Sequence, residues 1–248
     1  ATTEIYTLSL HDALPIYPFP VEHRQTVYRP VGRMGAKYMD ETIPKMAKRI
    51  LLTHLEEAKG KKTIVHCGTY SAAGKLAEEM RRDHRFSPGG VQVYLQDREN
   101  GGREIALRNW MERDLDGTDG AIFLSVNMTE GINLAGPDYP LNIIAKLPYP
   151  NLGDPWVARR KEIFPGWYEE VVMVAIEQAA GRCVRTPTDV AKCYILDATW
   201  GRMKGRLLPH AEAWWLESYV DPTARKATTA APMPRAVRMR KEESTSTP

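Results

Sequence analysis

Residues 177–189, EQAAGRCVRTPTD, hold the side chains best suited to chemistry. Placed on a helix, Gln178, Arg182 and Arg185 fall at i, i+4 and i+7 and share one face. Gly181 has no side chain, so a backbone or a phosphate can come close there. Two guanidiniums and an amide aimed one way make a surface rich in donors and poor in acceptors. It suits the oxygens of a transferring phosphoryl group, because a guanidinium is permanently charged and binds oxyanions through paired hydrogen bonds. A solvated basic helix face is the competing reading, and it serves an arbitrary QxxxRxxR spacing better. The strand that follows ends at Asp197, which is expected to set the helix end at the functional rim of a sheet.

The elements that must position these residues alternate along the chain. Strands are expected at 25–29, 63–67, 91–95, 120–126, 141–146 and 191–196. Helices are expected at 40–58, 71–82, 104–113, 167–180 and 209–219. Near-continuous β-branched runs separated by helices indicate an α/β fold, doubly wound, with a mainly parallel sheet covered on both faces. In such sheets the loops at the carboxyl ends of the strands carry function. The residues after TIVHC, GAIFLSV and LNIIAK are therefore the ones to watch.

Composition excludes several classes. Of 248 residues, 43% are hydrophobic and 26% charged, which is ordinary for a globular chain and unlike disorder or collagen. No apolar run approaches the ~18 residues of a membrane span. The three cysteines, Cys67, Cys183 and Cys193, form no CxxC pair and no disulfide framework, which favours a reducing, intracellular setting. The net charge is +3, but residues 222–248 alone carry +4. The body is thus nearly neutral, and basicity gives no general argument for nucleic acid.

Both ends stand apart. Residues 1–16, ATTEIYTLSLHDALPI, resemble the translation of a sequencing adapter and are set aside as a probable artefact. On that reading the gene is cut on its 5′ side. Residues 222–248 are rich in Ala, Thr, Pro, Arg and Ser without apolar periodicity, and are expected to be a disordered basic tail.

As a set, the motifs resemble superfamily 2 helicases of the XPD/DinG-like branch. Gln178-x-x-Gly181-Arg182-x-x-Arg185 resembles motif VI and is followed by TD and a strand ending in LDATWGR. The stretch 128–134, MTEGINL, resembles motif V and is followed by IIAKLPYP and LGDP; TIVHCGTY sits where motif IV sits. The resemblance covers roughly residues 18–220. It implies the second, C-terminal RecA-like domain (residues 17–221) of an ATP-dependent DNA helicase, coupling ATP hydrolysis to single-strand translocation and unwinding.

The resemblance also assigns roles. Arg185 is implied as the arginine finger on the γ-phosphate, Arg182 as its companion, and Gln178 as a contact to that phosphate or the attacking water. Gly131 allows close approach, and Glu130 and Asn133 offer polar groups to the nucleotide; Asn133 stands where the family has Asp. Taken alone, residues 129–134 read as a plain turn. The strand is implied to run over Gly68, Thr69, Tyr70, Ser71 and Thr129, which offer backbone N–H and hydroxyl donors to phosphates. N-capping serves Thr69 and Ser71 equally well, and packing serves Tyr70.

ATP is expected with Mg²⁺, whose ligands belong to a missing N-terminal RecA-like domain of the same protein. No G-x-x-x-x-G-K-[ST] occurs here. The nearest approach, GTYSAAGK at 68–75, has five residues between its glycines and Leu76 in place of Ser/Thr. No metal ligands are assigned to this chain. The resemblance places any iron–sulfur cluster in the first domain. Single-stranded DNA is the expected partner, with RNA possible and no membrane. Alone, the chain is expected to be inactive. The alternative is a non-catalytic nucleic-acid-binding RecA-like domain.

Overall fold

The computed structural model describes residues 19–86, 89–96, 102–126 and 134–224. Among these residues seven strands form one sheet in the order β3-β4-β2-β5-β6-β1-β7, and every pairing is parallel. They are β1 (Thr26–Gly32), β2 (Lys62–His66), β3 (Val91–Leu95), β4 (Gly120–Ser125), β5 (Leu141–Ile144), β6 (Lys192–Asp197) and β7 (Tyr219–Val220). The helices are α1 (Met39–Glu57), α2 (Tyr70–Arg81), α3 (Gly102–Met111), α4 (Pro155–Ile163), α5 (Trp167–Ala180), α6 (Thr199–Leu207) and α7 (Ala213–Ser218).

Strand alternation divides the core into two layers. Val65, Ile122, Leu124, Ile143 and Leu196 face one way and pack with Ile43, Met46, Ile50, Leu76 and Met80 of α1 and α2. On the opposite face Tyr28, Ile144 and Ile195 meet Val172, Ile176, Trp200 and Trp215. Farther along that face Ile64 and Phe123 meet Trp110 of α3. Burial on both faces explains why β2, β4 and β5 read as unbroken apolar runs.

A close approach fixes one corner. Gly120 has φ of +111°, and a Cβ there would lie 2.4 Å from the Lys61 carbonyl and 2.7 Å from His54 Nε2. The missing side chain lets His54, on α1, reach through to Asp119 O at 3.0 Å.

Several expected elements differ; the first strand runs on to Gly32 instead of ending at 29. The closing helix at 209–219 is divided into a 3-10 turn, Leu208–His210, then α7 and the short strand β7. Pro209 has no N–H to extend the preceding α6. Tyr219 is drawn into the sheet beside Thr26, where its ring stacks on Trp215 at 4.9 Å and its hydroxyl accepts from Trp200 Nε1 at 2.6 Å. The strand expected at 141–146 stops at Ile144, and Leu147 N turns instead to the Asp197 carboxylate at 3.1 Å. No helix among the described residues is long and apolar enough to cross a membrane.

Candidate functional site

The carboxyl ends of β2 and β5 open into a cleft of about 750 Å³, whose lining includes His66, Gly68, Thr69, Tyr70, Lys146 and Tyr149. Gly68 has φ of +67°, a conformation that favours glycine, and turns the chain from β2 into α2. Thr69 is the N-cap of α2, its hydroxyl oxygen accepting from Ala72 N at 3.2 Å. The capping role is therefore real, and the hydroxyl proton remains available to donate. Ser71 is exposed on the first turn, while Tyr70 is half-buried against the α1–α2 core. Lys75, the last residue of GTYSAAGK, pairs with Asp40 on α1.

Lys146 was quoted in the sequence pattern without a role. Its stem lies over Gly68, with Cδ and Cγ 3.5 Å from where a Cβ would stand. Burial lowers its pKa, and the nearby Asp197 carboxylate opposes that shift. His66 is buried at the cleft floor. Burial, then the Arg182 charge, push its pKa down to about 4 against a hydrogen bond with Asn142, so the ring is neutral at pH 7. Asp197 ties the rim together, accepting from Met34 N at 3.2 Å, Leu147 N at 3.1 Å and Thr199 N at 2.9 Å.

The arginine segment is arranged differently from the single helical face expected. α5 ends at Ala180, and Gly181–Cys183 is a 3-10 turn. Gln178 is exposed, Arg182 buried and Arg185 exposed, so the three do not share a face. The expected placement at the functional rim is also corrected. α5 runs back against the sheet, and the loop 185–189 feeds β6 at its amino end, while Asp197 lies at the other end of that strand. Asp189, 5% exposed, organises this loop by accepting from Arg185 N at 2.8 Å, Thr186 N at 2.7 Å and Gly136 N at 2.9 Å. Burial pushes its pKa up, but the N–H donors outweigh that and hold it below the usual carboxylate value. Thr129, Glu130, Gly131 and Asn133 lie outside the described residues.

A family model described as "Helicase C-terminal domain" matches residues 52–213. This chain belongs to the helicase C-terminal domain family. No curated protein matches it significantly. Among solved structures, the helicase domain is similar to Xpd4 of S. tokodaii, at 17% identity and TM-score 0.50, over 80% of this chain and 38% of that one. It is similar also to an apo XPD structure, at 19% identity and TM-score 0.54, over 81% of this chain and 40% of that one. At these identities the likeness is one of fold, and it agrees with the RecA-like architecture expected. The helicase domain spans about two fifths of the length of those proteins.

Asp189 was missed as a functional element, although a carboxylate just past a TP turn is a recognisable loop-former. Asp189→Ala in the helicase domain is expected to cost on the order of 2 kcal/mol, because three part-buried N–H groups lose a charged acceptor. Urea denaturation of the two proteins measures it. A loss below about 0.5 kcal/mol, the range of ordinary surface substitutions, would show that the loop does not depend on this residue.

Proposed function

We propose that the chain is the second motor half of an ATP-dependent helicase acting on single-stranded DNA, with RNA as the other candidate strand. Its cleft holds the phosphate backbone, while Arg185 completes an ATP site carried by an N-terminal RecA-like domain. The observation that supports this best is the meeting of Gly68, Thr69 and half-buried Lys146 at the start of α2, on the carboxyl rim. Backbone N–H groups, a hydroxyl and an ammonium hold phosphates without reading bases, as a translocating motor requires.

Arg185 is exposed on a loop that Asp189 organises, which suits its guanidinium to meeting an oxyanion from outside the chain. Buried Arg182 is better suited to carrying charge beneath that loop than to touching phosphate. Gln178 is exposed on the last turn of α5 and stays available to a nucleotide. Glu130, Gly131 and Asn133 remain assigned to ATP and Thr129 to the strand by resemblance alone. Mg²⁺ would accompany the ATP. No three His, Cys, Asp or Glu among the described residues are grouped to hold a metal, so no metal step is assigned to them.

The test is oligothymidylate binding by this chain across a salt series. Lys146→Glu is expected to weaken binding severalfold and to reduce the salt slope by about one. Equal affinity and slope in the two proteins would remove Lys146 and this cleft from the strand path.

A further inference from the structure

α4 buries none of its residues. Trp156 is 80% exposed, and Leu152, Ile163 and Phe164 are also open to solvent. Single exposed apolar residues are ordinary, but four on one short helix and its flanks point to an interaction surface. Arg159, Arg160 and Lys161 occupy the same short helix against one acid, Glu162. Arg159 pairs with Glu162 at 3.1 Å, leaving the helix net positive.

This surface is fastened to the cleft. Arg160 lies 5.6 Å from the Trp167 ring, and Lys161 lies 4.8 Å from the Tyr168 ring. Tyr168 stacks on Tyr149 at 6.0 Å and donates its hydroxyl to Pro150 O at 2.9 Å. Tyr149 and Pro150 both line the cleft. At the other end, Asp154 caps the helix by accepting from Trp156 N at 2.8 Å, and Pro155 presets the first turn. An exposed indole is thus held on a rigid, positive element beside the cleft.

We propose that α4 is a stacking platform for a single strand leaving the cleft. Trp156 takes one nucleobase on its ring face, while Arg159, Arg160 and Lys161 attract the flanking phosphates. The proposal rests on the nucleic-acid reading above and adds a base contact to it. Every base presents a π-face, so the contact is indifferent to sequence. The net positive charge of the helix that carries the indole favours a polyanion over a protein surface as its occupant.

Trp156→Ala and Trp156→Phe test the platform, and truncating a side chain this exposed leaves the fold intact. Fluorescence anisotropy of the whole chain is read with oligothymidylate and with an abasic deoxyribose-phosphate oligomer of equal length. Trp156→Ala is expected to weaken oligothymidylate binding about tenfold or more, with Trp156→Phe retaining most of the affinity. Both variants should bind the abasic oligomer like the wild type. Unchanged oligothymidylate binding by Trp156→Ala overturns the platform and leaves the cleft reading standing. Equal losses on both oligomers overturn stacking as the mechanism. Failure of the wild type to bind either oligomer removes the nucleic-acid reading and the platform together. Self-association that Trp156→Ala abolishes, with oligothymidylate binding unchanged, assigns the surface to a second copy instead.

Discussion

Lowering the pH from 7 to 5 is expected to destabilise the domain by on the order of 4 kcal/mol, through two buried imidazoles. His54 is fully buried, and burial pushes its pKa to about 4 against the opposing Asp119 carbonyl and charge. Its Nε2 donates to Asp119 O at 3.0 Å, which leaves Nδ1 to accept from the Thr63 hydroxyl at 2.7 Å. His66 also sits at about 4, through burial and the Arg182 charge. Unfolded, both rings titrate near 6.5. Between these values the unfolded chain binds protons that the folded one refuses. The stability is therefore fully present above about pH 6.5 and is lost as pH falls toward 4, at about 1.4 kcal/mol per pH unit for each ring.

Urea denaturation at pH 7 and pH 5 measures the difference, and His54→Gln should remove about half of it. Glu57 and Asp189 have lowered pKa values, so their contributions disappear only below the ordinary carboxylate range. Equal stability at pH 7 and pH 5 would contradict the neutral, buried state of these rings.

The parts of the fold legible in the sequence are those where burial is strongest. α5 has the expected ends, and β2, β4 and β6 shift by a residue or so, because strands buried on both faces and a strongly apolar helix leave unambiguous periods; β3, a half-buried edge strand, also has the expected ends. α4 escaped notice for the opposite reason: with nothing buried, it has no apolar stripe to detect. Its Asp154–Pro155 start was nonetheless a readable cap. α6 also went unrecognised, despite burying Trp200 and Leu207.

The site was legible as a set of residues but less so as geometry. Gly68 and Thr69 meet at the rim as expected, since a strand end followed by a capping residue is a local signal. Lys146 joins them only because parallel pairing sets His66 beside Ile144, a long-range register that local sequence does not encode. The helical spacing of Gln178, Arg182 and Arg185 was carried past Gly181, where the helix gives way. Glycine is a common helix terminator, and the β-branched Val184 and then Pro187 should have stopped that extension.

The loop geometry separates the two arginines in a way their shared motif does not. In a protein that joins this domain to an N-terminal RecA-like domain, as proposed, Arg185→Ala is expected to lower ATP turnover by about 10³-fold or more, the range for arginine fingers. Arg185 is exposed, and among the described residues its hydrogen bond is that of its backbone N–H to Asp189, so truncation removes a charge without disturbing the fold. Single-strand affinity should be retained, because the loop lies at the opposite rim from Gly68 and Lys146. Arg185→Lys should restore little, since one ammonium cannot reproduce a paired guanidinium contact. Arg182→Ala should behave differently. Arg182 is buried and helps to lower the His66 pKa, so its removal should raise that pKa and reduce stability as well as turnover. Steady-state hydrolysis, oligothymidylate affinity and urea denaturation of the two variants distinguish these outcomes. Near-normal turnover by Arg185→Ala would remove it from the ATP site, and a turnover defect explained wholly by unfolding would do the same.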